Sequence, residues 1–243
     1  VSFAFEAYKV ENNFVTLTVL LNRICLVTDM TTARNSMIES QLRPNRVNDE
    51  RIIAAMRTVK REDFVPKEKR SVAYVDETLE VAGGRFLMEP RVFARMLVSA
   101  DVQSSDLVLD IGCASGYSAA VLAGLADAVV ALESDEILAD AAEETLTSSD
   151  AVNVAVIKGK LNEGVAKQGP YDVIFIAGAV TDVPPLLTDQ LKDGGRLLCV
   201  LMDGTVGRAH MITRDGDSVS GQNLFDAHAE ILPGFEAQEG FVF

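Results

Sequence analysis

Val108-Leu109-Asp110-Ile111-Gly112-Cys113-Ala114-Ser115-Gly116-Tyr117 is the stretch whose reading decides the fold. It begins as an apolar strand, passes through a glycine-containing turn and runs directly into a helix. Gly112 and Gly116 let the backbone approach a ligand closely and take conformations that other residues avoid. The helix after Gly116 presents free N–H groups and the positive end of its dipole. Nucleotide-binding folds share these features, so the spacing has to discriminate. A dinucleotide fingerprint needs G-x-G-x-x-G, and Ala114 stands where its second glycine would be. A P-loop needs a lysine after its last glycine, and here Tyr117 follows Gly116. What remains is an acidic residue, Asp110, followed by G-x-x-x-G.

Working outward from this loop, strands alternate with helices. Leu107–Ile111 is a short apolar strand and Tyr117–Leu125 a helix; Ala128–Leu132 is a strand and Asp135–Leu146 a helix capped by Ser134. Val152–Ile157 and Asp172–Ile176 read as strands, Pro184–Leu191 as a helix, and Gly194-Gly195 as a turn into the strand Arg196–Leu201. This order implies parallel βαβ units with both faces covered. The tail reads as hairpin pieces: His210–Arg214, a turn at Asp215-Gly216-Asp217, and a last strand at Gly240–Phe243. Toward the N-terminus, residues 32–70 show helical spacing (Ile38, Leu42, Ile52, Ile53, Met56), with a helix start at Asn48-Asp49-Glu50. Leu79–Val81 and Gly83-Gly84 read as a short strand and a turn. Pro90 opens a helix that buries Phe93, Met96 and Leu97.

The acidic residue followed by G-x-x-x-G resembles the first motif of S-adenosyl-L-methionine-dependent methyltransferases. That resemblance puts Asp110 near the methionine part of the cofactor, with Gly112, Cys113, Ser115 and Gly116 passing beneath it. Glu133 ends the next strand, where a carboxylate can accept both ribose hydroxyls, and Ser134 adjoins it. A narrower resemblance, to the protein-L-isoaspartate O-methyltransferases, spans roughly residues 34–202. It rests on Met37–Leu42, Asn48-Asp49, Ile52–Met56, Val59–Pro66 and Ala73–Asp76 in front, and on Pro170–Ile176, Val183-Pro184, Leu187–Leu191 and Gly194–Leu197 behind. It implies an α/β, doubly wound, mostly parallel Rossmann-like sheet with a small N-terminal helical cap and an antiparallel C-terminal hairpin. It also implies methylation of the side-chain carboxylate of an isoaspartyl residue in a protein or peptide. A carboxylate with pKa near about 4 is already ionised at pH 7, so no catalytic base is required.

The chain departs from the family pattern in the substrate segment. The family reads Thr-Ile-Ser-x-Pro there, whereas this chain reads Phe86-Leu87-Met88-Glu89-Pro90, so Met88 stands at the serine position. A thioether donates no hydrogen bond, and Glu89 would repel an incoming carboxylate. Lys160, followed by Leu161, replaces the acidic residue that the family places near the adenine. Two readings stay open. Either this is a methyltransferase, for which Arg85 or Arg91 holds the carboxylate or another small anionic acceptor, or it is a cofactor-binding relative that serves as a sensor or partner. The presence of both the loop and Glu133 favours the enzyme.

Composition narrows the remaining classes. Residues 1–100 carry 15 Lys+Arg against 13 Asp+Glu, and residues 101–243 carry 7 against 23, which accounts for the net charge of -14. So acidic a body repels phosphate backbones, and no nucleic-acid partner is expected. Two histidines and three unpaired cysteines offer no metal site, and a reducing, cytoplasmic setting fits best. Cys113 and Cys199 read as small core residues. Residues 1–29 are too short and interrupted in their apolar runs for a membrane span. They are expected to be an upstream extension foreign to the native protein; a genuine N-terminal strand or helix is the alternative. The methyltransferase domain then covers residues 30–243, with a helical front piece at 30–78 and the cofactor-binding core at 79–243. Oligomeric state is not legible.

Overall fold

Alternation in the apolar strands builds a sheet with two buried faces, because successive side chains point to opposite sides. Val108, Val129, Ala131, Val173, Phe175, Leu198 and Val200 enter one apolar cluster. Leu109, Val130, Leu132, Ile174, Ile176, Leu197 and Cys199 enter the other. The arrangement is that of a computed structural model, which describes residues 30–237.

The front piece comprises α1 (residues 30–37), a wider turn over Ile38–Leu42, and α2 (Glu50–Thr58). A separate two-stranded ribbon follows, β1 (Leu79–Ala82) and β2 (Arg85–Leu87), turning at Gly83 and Gly84, both with positive φ. After α3 (Pro90–Ala100) come β3 (Leu107–Ile111), α4 (Tyr117–Ala123), β4 (Ala128–Glu133), α5 (Glu136–Ser148) and β5 (Val154–Lys158). The chain then crosses back to β6 (Tyr171–Val180), α6 (Pro185–Thr188) and β7 (Leu191–Asp203), and ends in β8 (Val206–Asp215) and β9 (Ser218–Asp226).

The seven-stranded sheet has the order β5-β4-β3-β6-β7-β8-β9. Pairings from β5 through β7 are parallel, and those of β8 with β7 and β9 are antiparallel. Chain direction across the sheet reverses at β3, which has β4 on one side and β6 on the other. The carboxyl ends of β3 and β6 therefore frame the switch-point crevice where ligands of open α/β sheets bind. Beyond β9 the chain returns across this end of β6. The Ala179 amide donates to the Glu230 carbonyl (2.9 Å), and the Leu232 amide donates to the Ala179 carbonyl (2.9 Å). Among the described residues no helix is long and apolar enough to cross a membrane.

Two local expectations need correction. The N-cap of α5 is Asp135, whose Oδ1 accepts from the Ile137 and Leu138 amides (2.9 and 3.0 Å). The helix begins at Glu136, so only Asp135 is placed to cap it. The helix expected over 184–191 is the single turn Pro185–Thr188, since Leu191 already pairs with Tyr171 as strand. After the turn expected at Asp215-Gly216-Asp217, β9 pairs antiparallel with β8, and most of its side chains are exposed. As an edge strand it lacks the apolar alternation that would have marked it in the sequence. The strand expected at Gly240–Phe243 and the reading of residues 1–29 lie outside the described residues.

Candidate active site

The loop after β3 is shaped by its two glycines and stitched to the end of β4. Gly112 and Gly116 have φ of 79° and 95°, in the left-handed region that disfavours side chains. The Gly112 amide donates to the Leu132 carbonyl at 2.8 Å. Between them Ala114 also takes a positive φ, 49°, and its amide donates to Glu133 Oε2 at 2.8 Å. The Ser115 hydroxyl donates to the Phe64 carbonyl (2.6 Å), which ties the front piece to the loop.

Two carboxylates converge on this loop. Asp110 is fully buried; its Oδ2 accepts from the Ser118 hydroxyl at 2.6 Å, and its Oδ1 has no hydrogen-bond partner among the described residues. Burial pushes its carboxyl up to about 7, against the Ser118 hydrogen bond; the charge of Glu133 adds to the rise and Arg85 opposes it. Glu133 is also fully buried. Its Oε1 accepts from the Ser134 and Asp135 amides (2.7 and 3.0 Å), so with Ala114 three backbone amides fix the carboxylate. Arg85 completes the arrangement. Its Nη1 donates to Glu133 Oε1 (2.8 Å), its Nη2 donates to the Gly112 carbonyl (3.0 Å), and its Nε is buried without a partner among the described residues.

The substrate segment borders the same crevice. Met88 is buried, and its carbonyl accepts from Arg61 Nη2 at 2.8 Å. Arg61 is wholly buried, donates through Nε to the Ala73 carbonyl (2.8 Å), and lies 4.7 Å from the Tyr117 ring centroid. Burial lowers the pKa of its guanidinium. Glu89 pairs with Arg91 (3.2 Å), which also pairs with Asp76 (2.9 Å), and Pro90 begins α3. A cavity of about 10 Å³, lined by Phe86, Met88, Gly112, Cys113 and Ala177 among others, lies between this segment and the loop.

Family membership can be judged against this geometry. The family model described as protein-L-isoaspartate(D-aspartate) O-methyltransferase (PCMT) matches residues 32–227. A protein-L-isoaspartate O-methyltransferase of Koribacter versatilis is 41% identical over 165 residues, which is 68% of this chain and 74% of that one. The chain belongs to the protein-L-isoaspartate(D-aspartate) O-methyltransferase family. A second relative, protein-L-isoaspartate O-methyltransferase 1 of Rhodopseudomonas palustris, is 35% identical over 211 residues, 86% of each chain. The fold agrees with a Plasmodium falciparum protein of the same description, solved in complex with S-adenosyl-L-homocysteine. It superposes with a TM-score of 0.72 at 20% identity, covering 82% of this chain and 97% of that one.

Within this isoaspartyl methyltransferase fold, the crevice gathers Arg85, Met88, Asp110, Gly112, Cys113 and Glu133 from the residues anticipated from sequence. Ser115 and Gly116 shape the loop, and Ser134 contributes its amide. Leu161 is buried, but Lys160 turns outward and pairs with Glu163 at 2.8 Å, its side chain 76% exposed. Ser118, Arg61 and Leu232 were not anticipated as members of the site. Ser118 lies eight residues after Asp110, in the first turn of α4, and that spacing could have exposed it. Arg61 stood inside a motif noted only for its family likeness. Leu232 carries no local signal at all.

Proposed function

We propose that this methyltransferase moves the methyl group of S-adenosyl-L-methionine onto the side-chain carboxylate of an isoaspartyl residue in a protein or peptide. The observation that carries the reading is the buried Glu133 carboxylate at the tip of β4, held against the Gly112 loop at the switch point. The residues fit the cofactor. Glu133 offers oxygens to a ribose diol, and Asp110 Oδ1 is buried without a partner. The space above Gly112 is a cradle that a Cβ would fill, since that atom would lie 2.8 Å from both Arg85 Nη2 and Leu232 Cδ1.

When bound, the cofactor supplies an electrophilic methyl group on a sulfonium, open to in-line attack by a carboxylate oxygen. The residues of the chain then have to bind, orient and exclude water. The acceptor is ionised at pH 7, so no side chain has to remove a proton. Positioning supplies most of the acceleration. Phe86, Met88 and Phe93 line the crevice beside Cys113 with apolar surface, which keeps water from the attacking oxygen. The Met88 thioether gives that oxygen no hydrogen bond. Arg61 fixes the backbone at Met88 from behind. Buried free thiols at Cys113 and Cys199 support a reducing, cytoplasmic setting. A purely cofactor-binding sensor is not favoured by the family match.

Methyl transfer from labelled S-adenosyl-L-methionine to an isoaspartyl peptide and to its aspartyl twin tests the proposal. Label on the isoaspartyl peptide alone is the expected result. Label on neither peptide, with transfer to some other carboxylic acid, would replace the acceptor.

A further inference from the structure

Arg85 and Leu232 occupy the ground that the cofactor is proposed to use. The ideal Cβ position of Gly112 lies 2.8 Å from Leu232 Cδ1 and that of Gly178 lies 2.5 Å from Leu232 Cδ2, so one leucine sits on two neighbouring glycines. Its backbone belongs to residues 229–235, a strap laid along the end of β6. Besides the two hydrogen bonds to Ala179, the Phe235 carbonyl accepts from the Thr181 amide (3.2 Å) and hydroxyl (2.7 Å). Arg85 meets the same Gly112 position at 2.8 Å and comes from the short ribbon, a sheet separate from the main one.

The contacts of Arg85 are unequal to those of its partner. Glu133 keeps three backbone amides whether or not Arg85 is present. Arg85 has two acceptors and leaves Nε buried and unpaired, a cost that moving outward would relieve. The Glu133 carboxylate and the Gly112 carbonyl are oxygen acceptors suited to a ribose diol and a ligand ammonium. The guanidinium caps both at once.

We propose that Arg85 and Leu232 form an internal closure of the cofactor cradle, and that binding exchanges these two side chains for the cofactor. The proposal rests on the cofactor reading above. A ligand that must wait for an open minority state binds more weakly by the fraction that is open, and removing the closure restores the affinity. Leu232→Ala removes the plug without touching Glu133, and Arg85→Met removes the cap while keeping length and apolar bulk.

S-adenosyl-L-homocysteine, titrated calorimetrically into the wild type and each variant, supplies the measurement. Leu232→Ala is expected to tighten binding about tenfold or more, and Arg85→Met to act in the same direction. Should Arg85→Met fail to fold, Leu232→Ala decides alone. Unchanged or weaker binding by Leu232→Ala overturns the closure, because that is the behaviour of a side chain that holds the ligand. Amide exchange on the wild type gives an independent readout. Saturating S-adenosyl-L-homocysteine should speed exchange at Leu232 and Ala179, and slower exchange there would also overturn the proposal. Heat from none of the three proteins would remove the cofactor reading, and the closure with it.

Discussion

Asp110 and Arg61 are two buried ionisable side chains with opposite dependences on their surroundings. An aspartate in an unfolded chain has a pKa of about 3.9, whereas burial, more than any neighbour, carries the Asp110 carboxyl to about 7. Between these values the folded protein holds a proton that the unfolded chain has lost. The Asp110 contribution to stability is therefore full below about pH 4 and is lost as pH rises through about 7. Urea midpoints should be higher at pH 5 than at pH 8 in the wild type, and Asp110→Asn should shrink that difference. An unchanged difference would place the titration elsewhere. Among the described residues no carboxylate hydrogen-bonds to the buried Arg61, and its donors serve two carbonyls. Lysine is a point charge and cannot reproduce that fork. Arg61→Lys should lower stability by about 2 kcal/mol, the scale of one lost charge-assisted hydrogen bond with its buried acceptor left unpaired. Equal urea midpoints for the two proteins would show that the fork contributes nothing.

The loop between β3 and α4 tests backbone strain at the next scale. Ala114 and Gly116 both have positive φ, but their surroundings differ. A Cβ at Gly116 would lie 3.2 Å from Leu146 Cγ and Cδ1, on the buried face of α5, so Gly116→Ala adds crowding to an unfavourable backbone. We expect a loss of about 2 kcal/mol from that change, measured by chemical denaturation. Ala114→Gly should be close to neutral. Relief of about 1 kcal/mol of left-handed strain is offset by roughly 0.4–1 kcal/mol of added freedom in the unfolded chain. A large loss at Ala114 would mean that its methyl packs more tightly than the strain argument allows.

Over the whole molecule the charge is uneven, with 7 Lys+Arg against 23 Asp+Glu in residues 101–243. Like charges crowded on one body oppose compaction, and salt screens them over a Debye length of about 10 Å at 0.1 M. The thermal midpoint should therefore rise between about 20 mM and about 300 mM sodium chloride. A fall would show that pairs such as Arg196–Asp106 (2.9 Å) and Lys192–Asp172 (2.6 Å) outweigh the repulsion.

The sequence by itself determined the parallel order of strands and helices, the loop from Asp110 to Gly116, and Glu133 at the end of the next strand. These are local properties: period-two burial, glycine at positive φ and a carboxylate at a strand tip are written into neighbouring residues. Met88 at the serine position was legible only through the resemblance to the family pattern. Only the tertiary structure decided that Glu133 meets Arg85, 48 residues away, and that Leu232 rests on Gly112 and Gly178. It also decided that Lys160 turns outward to Glu163 and that β9 pairs along the length of β8. No periodicity records such pairings. Arg85 reads as a candidate anion holder until the ribbon brings it to Glu133, and β9 goes unmarked because an edge strand needs backbone hydrogen bonds more than apolar alternation. Partner choice among distant residues depends on how the packed elements close on one another, and that information belongs to the folded chain.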